Sequence, residues 1–339
     1  MSYNKKKVVR RSSFVVRRFL IGLILITGCA KKPTEVYDAR VMLGTVVEIK
    51  IVDADPQKAR QALSAAFNEI SRIEKLMSHF DRDSVLSQLN KRGYSTNQEL
   101  SALILQAVEI SRISDGGFDV TVGPLMNLWD FKAKVPRVPT IQQIRQALAN
   151  IGYKKIDFDS NKNRIMIKKG IDIDLGGIAK GYATDKAVAI LQKEGIGTAL
   201  VNAGGDIRAI GDREWHIGLK NPRGKDILAS IIVKNRAVVT SGDYERYFIK
   251  GGRRYHHILD PHTGYPAEQC QSVTVIAPSA SAAVALAKGI FVAGPAKGLA
   301  IASSQPQTET IIIDTQGRLH VSTGLVKTGN VYKVKSEKQ

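Results

Sequence analysis

The chain reads as an α+β protein, a single domain of mixed, mainly antiparallel sheets with flanking helices. Three observations carry that reading. Helical patterns fill the first half and strand patterns dominate after Tyr153, instead of alternating one for one as a doubly wound sheet requires. The strands are short and bounded by Gly, Asn and Asp, as hairpins are. No repeat or long linker divides residues 38–332, and a hydrophobic content of 43% in 339 residues is enough for a real core.

Taken in order, Ala39 to Val52 is strand-like and broken at Leu43-Gly44-Thr45. Asp55-Pro56 opens a helix that aligns Ala62, Ala66, Ile70, Ile73 and Leu76 on one face. A short helix is expected over Asp83–Asn90, and a longer one from Asn97 to Ile113 that stops at Asp115-Gly116-Gly117. Pro136 to Pro139 is a loop, and Thr140 caps a helix running to Ile151. Ile165 and Ile167 alternate with polar neighbours as in a half-buried strand. The helix after Lys180 turns Ala183, Ala187, Ile190 and Leu191 inward and ends at Gly195. Ala280 to Val292 reads as a second amphipathic helix, and Glu309 to Val321 as a closing hairpin.

The formal charge of +19 is unevenly placed. Residues 1–28 hold seven Lys/Arg and no acid, which leaves +12 for the rest. That remainder has no long basic run and no aromatic–basic interleaving, so nucleic acid is not the expected partner; an anionic nucleotide or lipid surface suits it equally. The N-terminus carries a targeting pattern: a basic region, then Phe19 to Ile26, too short to span a bilayer as a helix. It ends in Ile26-Thr27-Gly28-Cys29, similar to a bacterial lipobox. Residues 1–28 are therefore expected to be a lipoprotein signal peptide, Cys29 the lipidated residue, 29–37 a tether and 333–339 a polar tail. The expected address is the bacterial cell envelope, lipid-anchored to a membrane and facing the periplasm or exterior. With Cys29 acylated, Cys270 is the remaining thiol, and no intrachain disulfide forms.

The chemistry-bearing stretches are four glycine-punctuated turns and one histidine cluster. Ile171 to Tyr182 runs strand, glycine pair, helix start, with Lys180 one turn in. Free N–H groups at a helix start, close backbone approach at Gly176-Gly177 and a nearby ammonium suit an anion, although a plain tight turn has the same outline. Gly117-Phe118-Asp119-Val120-Thr121 groups an aromatic, a carboxylate and a hydroxyl at a loop. Asn202 to Asp206 and Thr240 to Tyr244 place small polar groups at strand ends. Tyr255 to Gly264 holds three of the six histidines. His256 and His257 face opposite ways if extended, which argues against one shared metal ion and for one general base.

Together these stretches resemble the ApbE family of FAD:protein FMN transferases. The matching segments are Asp174-Leu-Gly-Gly-Ile-Ala-Lys180-Gly-Tyr, Asn202-Ala-Gly-Gly-Asp206, Thr240-Ser-Gly-Asp-Tyr244 and His257-Ile-Leu-Asp-Pro-His-Thr-Gly264. Gly117-Phe-Asp-Val-Thr-Val-Gly-Pro124 with Trp129, and the opening Leu43-Gly44-Thr45, add to them, in order across residues 38–325. The resemblance implies a cleft between subregions that binds FAD as substrate. It implies transfer of FMN to a Thr or Ser hydroxyl of an acceptor protein, with release of AMP. Acceptors in the family are flavin-bearing subunits of membrane redox complexes. Carried over by position, the FAD contacts are Leu43, Phe80, Gly117, Phe118, Asp119, Asp174, Lys180 and Ile258, with Leu43 and Phe80 standing where Met and Tyr are usual. His257 and Lys180 are the catalytic candidates.

One departure concerns Mg²⁺, which the family binds with a late Asp and Thr and a backbone carbonyl, here Gly177. This chain reads Val284-Ala285-Leu286-Ala287-Lys288, and neither Val284 nor a charged Lys288 can ligate a hard cation. An FAD pyrophosphatase, giving FMN and AMP, shares the same site as a rival reading. A flavin-binding lipoprotein without turnover is the rival that Val284 and Lys288 favour.

Overall fold

The computed structural model describes Met1 and residues 33–335. The expected signal peptide, Cys29 and the first residues of the tether lie outside the described residues. No described helix is long and apolar enough to cross a membrane.

An eight-stranded antiparallel sheet forms the centre of the domain. Its strand order in space is Thr34–Met42, Thr45–Asp53, Ala199–Ala203, Asp206–Ile210, Ala237–Gly242, Cys270–Ala277, Glu309–Asp314 and Leu319–Val321. Every residue of Cys270–Ala277 is buried, as befits a central strand covered on both faces. Cys270 lies there as a free thiol that burial pushes up to about 12, an unreactive apolar group.

Among the described residues eight α-helices follow in chain order: α1 (Pro56–Met77), α2 (Val85–Arg92), α3 (Gln98–Ile113), α4 (Gly123–Trp129), α5 (Ile141–Leu148), α6 (Ala179–Lys193), α7 (Ala280–Ala293) and α8 (Pro295–Ser303). Helices α1, α6 and α7 pack side by side on one face of the large sheet. α1 begins where Asp55 accepts the Gln57 and Lys58 N–H groups, with Pro56 at its first position. α5 opens with a capping box between Thr140 and Gln143. The expected amphipathic pattern of the helix from Ala280 is not what the structure shows. α7 is buried on nearly every side, because α3, α6 and α8 flank it while the sheet lies beneath.

The opposite sheet face is covered by four strands, Leu325–Thr328, Val331–Val334, Ile227–Val233 and Trp215–Lys220. Trp215, Leu219, Ile231, Val233 and Tyr332 meet Leu200, Ile207, Val238, Ile276 and Ile311 in a second core. A third, smaller core gathers Leu125, Trp129, Ile144, Ile151 and Leu259. Two small sheets complete the domain: Tyr94–Ser95 with Arg164–Ile167 and Ile156–Asp159, and the hairpin Tyr247–Lys250 with Arg253–His256.

α5 stops at Leu148, short of the expected Ile151, and three expected boundaries near the ends of the domain move. The first strand starts at Thr34, inside the stretch read as tether, because Thr34 to Tyr37 pair with Lys50 to Asp53; its largely exposed outer edge hid it from hydrophobic patterning. The pairing of Glu309–Asp314 with Leu319–Val321 does not close the chain. The next hairpin crosses to the four-stranded sheet and ends at Val334, two residues into the expected tail.

Gly181 sets the closest approach of α6 to α7. A Cβ there collides with the Ala280 carbonyl oxygen and comes within 2.8 Å of Val284 Cγ1. Gly181→Ala is therefore expected to lose about 2 kcal/mol net, despite better helix propensity, and to lower the melting midpoint by roughly 5 °C. Gly197→Ala, with nothing within 4 Å, is the control whose midpoint holds or rises slightly in the same calorimetric scan.

Candidate functional site

The glycine turn is held from both sides before α6 begins. Asn90 clasps Ile173 through both amide groups, at 3.0 and 2.9 Å. Asp174 N–H donates to the Val120 carbonyl at 2.8 Å, which ties the turn to the Phe118 loop. The Asp174 carboxylate then accepts the Gly176 N–H at 2.6 Å and bends the chain into the helix. No side chain caps α6, so its positive end is left facing the site. Gly177 needs its missing Cβ: an added carbon sits 2.9 Å from Phe118 Cε2 and 3.4 Å from Lys288 Cδ. The glycine turn and the Phe118 ring therefore lie against one another.

Two lysines and two carboxylates converge on this turn. Lys180 Nζ lies 3.2 Å from Asp206 Oδ2, an ion pair in which the Asp206 side chain is 3% exposed. That oxygen makes no hydrogen bond, so it faces the ammonium groups without a competing donor. Asp206 is placed by a two-residue hairpin, Gly204-Gly205, both at positive φ, with Ala203 and Asp206 directly paired. Lys288 arrives from α7, its Nζ 3.4 Å from the Val284 carbonyl oxygen. Burial pushes Lys288 down to about 8; Asp206 and Asp174 oppose that shift and Lys180 adds to it.

The adjacent histidines do different work. His256 is buried, with Nε2 2.9 Å from the Ala267 carbonyl oxygen and Nδ1 accepting the Ile258 N–H at 3.3 Å. It stacks edge-on against Phe291 and is a satisfied core residue. His257 has a buried Nδ1 with no partner. Burial, then Lys288, Arg246 and His256, push it down to about 3, so the imidazole is neutral and has a free acceptor nitrogen.

Several motif residues are instead consumed by their own turns. Asp119 accepts from Thr121 N and Oγ1 at 2.8 and 2.6 Å and from Tyr153 N at 2.7 Å, locking the Phe118 loop to residues 152–153. Burial nevertheless pushes its carboxyl up. Asp243 is gripped by Arg223 at 2.7 and 2.6 Å. Asp260 holds His262 and Thr263, and Trp129 Nε1 donates to the Gly264 carbonyl at 2.8 Å. Ile258 is buried in the main core. Leu43, with φ of 54°, is held by its N–H to Glu74 Oε1 at 2.8 Å, near the end of α1. Phe80 follows that same end, exposed at 78%, its ring 4.2 Å from the Lys132 ammonium. The neighbouring His79 lies 3.7 Å from Asp172, which anchors the segment beside the glycine turn.

Of the expected site residues, the structure thus brings Gly177, Phe118, Asp174, Lys180, Lys288 and His257 together around one turn. Leu43 and Phe80 stand at the end of α1. Asp206 is the site residue that single-motif reasoning passed over. Its signal was the Gly-Gly turn just ahead of it, which aims a strand's first side chain at a fixed point.

A sequence profile of the ApbE family matches residues 43–312. An FAD:protein FMN transferase of Haemophilus influenzae is 30% identical over 329 residues, covering 88% of this chain and 94% of that protein. One of Treponema pallidum is 31% identical, with 85% and 87% covered. Among solved structures, an ApbE protein of Thermotoga maritima superposes with a TM-score of 0.80 at 39% identity, covering 86% of this chain and 97% of that one. The flavin transferase ApbE of Vibrio cholerae gives 0.76 at 28% identity, covering 86% and 98%. The chain belongs to the ApbE family.

Proposed function

We propose that the protein transfers the FMN moiety of FAD to a Thr or Ser hydroxyl of an acceptor flavoprotein, with release of AMP. The observation that carries this reading is the contact of the Gly177 backbone with the Phe118 ring and the Lys288 stem, beside the Lys180–Asp206 pair. A pyrophosphate lying on the uncapped start of α6 meets N–H groups and two ammonium groups, while the flavin rings lie toward Phe118 and the end of α1. The named activity of the relatives supports transfer over hydrolysis or simple binding.

Phosphoryl transfer asks mainly for positioning and charge neutralisation. The acceptor hydroxyl oxygen bonds to the FMN phosphorus, the phosphoanhydride bond breaks, and AMP leaves with its electron pair. The hydroxyl proton passes to a ring nitrogen of His257, the neutral base at the site. Lys288 disfavours the protonated ring in the free protein. A bound pyrophosphate offsets that repulsion, so the imidazole becomes more basic when the substrate is in place.

The N-terminal pattern supports a lipoprotein anchored through Cys29 in the bacterial cell envelope, facing the periplasm or exterior. An anchored transferase suits acceptors that are themselves subunits of membrane redox complexes.

Incubation with FAD and an acceptor domain is expected to raise the acceptor mass by one FMN and to produce an equal amount of AMP. Mass spectrometry decides: FMN and AMP freed without acceptor labelling sinks transfer in favour of hydrolysis, and intact FAD on the protein sinks both. His257→Ala is expected to slow transfer about 100-fold or more with the melting midpoint retained. His256→Ala is expected to lower the midpoint instead, because a buried, doubly hydrogen-bonded ring is lost. Rate assays paired with calorimetry separate the two; equal loss of midpoint in both variants removes His257 from the mechanism.

A further inference from the structure

The residues that stand where the family holds Mg²⁺ do not fit that ion. Val284 offers no side-chain oxygen, is 2% exposed, and packs toward Gly181. Lys288 carries no lone pair while protonated. Among the described residues, no group of three or more His, Cys, Asp or Glu side chains is gathered to hold a metal ion. The place is also taken. The Lys288 stem passes beside Gly177, and its ammonium lies 3.4 Å from the Val284 carbonyl oxygen, against the turn that would supply the ion's backbone ligand. Lys180 is close enough to Lys288 to disfavour its charge. A divalent cation added here meets two ammonium groups at short range, while Asp206 is already paired with Lys180 and Asp174 with the Gly176 N–H.

We propose that in this chain the ammonium of Lys288 takes the place of the divalent cation, so that Lys288 and Lys180 together neutralise the FAD pyrophosphate and FAD binds without Mg²⁺. This rests on the flavin reading above and goes beyond it by naming the counter-charge. Asp206 and Asp174 balance the two ammonium groups in the free protein, which lets both sit in a poorly solvated place. When pyrophosphate arrives, an ammonium with three donors replaces carboxylate contacts with phosphate contacts. A lysine side chain cannot clamp two oxygens as an ion does, but it is always present, and its position is set by α7.

The test is FAD affinity by calorimetry on the full protein, in EDTA and in excess Mg²⁺, with Mn²⁺ binding followed separately by electron paramagnetic resonance. The expected result is equal FAD affinity in the two buffers, within about twofold, and no Mn²⁺ bound. Lys288→Gln is expected to weaken FAD about tenfold or more in both buffers, the scale of one hydrogen-bonded charge. Val284→Asp with Lys288→Thr is expected to make FAD binding depend on Mg²⁺ and to bring Mn²⁺ into the site. Because a buried Asp at 284 threatens folding, the natural chain in EDTA is the deciding arm. FAD held only in Mg²⁺ overturns the metal-free site while leaving the flavin reading intact. FAD held in neither buffer overturns the flavin reading as well. Unchanged affinity in Lys288→Gln removes Lys288 from the pyrophosphate.

Discussion

The crossing of α6 and α7 at Gly181 governs where the two ammonium groups of the site come to rest. Lys180 precedes Gly181 directly, and Lys288 stands two turns along α7 from Ala280, whose carbonyl Gly181 touches. Asp185, one turn further along α6, accepts the Ala280 and Ser281 N–H groups at 2.8 and 2.9 Å and so caps α7 from its neighbour. Burial pushes this carboxyl up, against the pull of those donors. Two helices locked in this way deliver two ammonium groups to one spot with little freedom to drift, and Asp206 receives them from the sheet. The arrangement is costly to desolvate, so it persists only because the packing around it permits no alternative.

Local devices were plain in the sequence and tertiary ones were not. The Asp55 cap, the Thr140 cap and the Gly195 stop each act within a few residues, and the helix ends they mark fell where patterning placed them. α7 looked one-faced because patterning counts apolar residues without knowing how many neighbours will enclose them; α3, α6 and α8 enclose all sides. The beginning of the first strand, Thr34 to Asp38, escaped notice because its reason to extend is a partner, Ile49 to Asp53, and not its own composition.

The motifs divide in the same way. Asp119, Asp243 and Asp260 carry family-like spacing, yet their carboxylates are occupied by Thr121 and Tyr153, by Arg223, and by His262 and Thr263. They shape loops. His257, Lys180 and Asp206 keep uncommitted atoms or exposed charge, and that difference exists only once partners are known. A spacing reports which residue types are needed at a place; hydrogen-bond bookkeeping reports which of them are still available.

Both tryptophans of the chain lie away from the main core. Trp129 is encircled by Phe131, Phe248, Tyr255 and Tyr265, and Trp215 sits in the second core with the Arg213 guanidinium 4.2 Å from its ring. Indole emission from this protein is therefore a gauge of its two satellite layers, and the helices that carry the lysines contain no tryptophan. Fluorescence and far-ultraviolet circular dichroism, followed through one denaturation, watch different parts of the molecule.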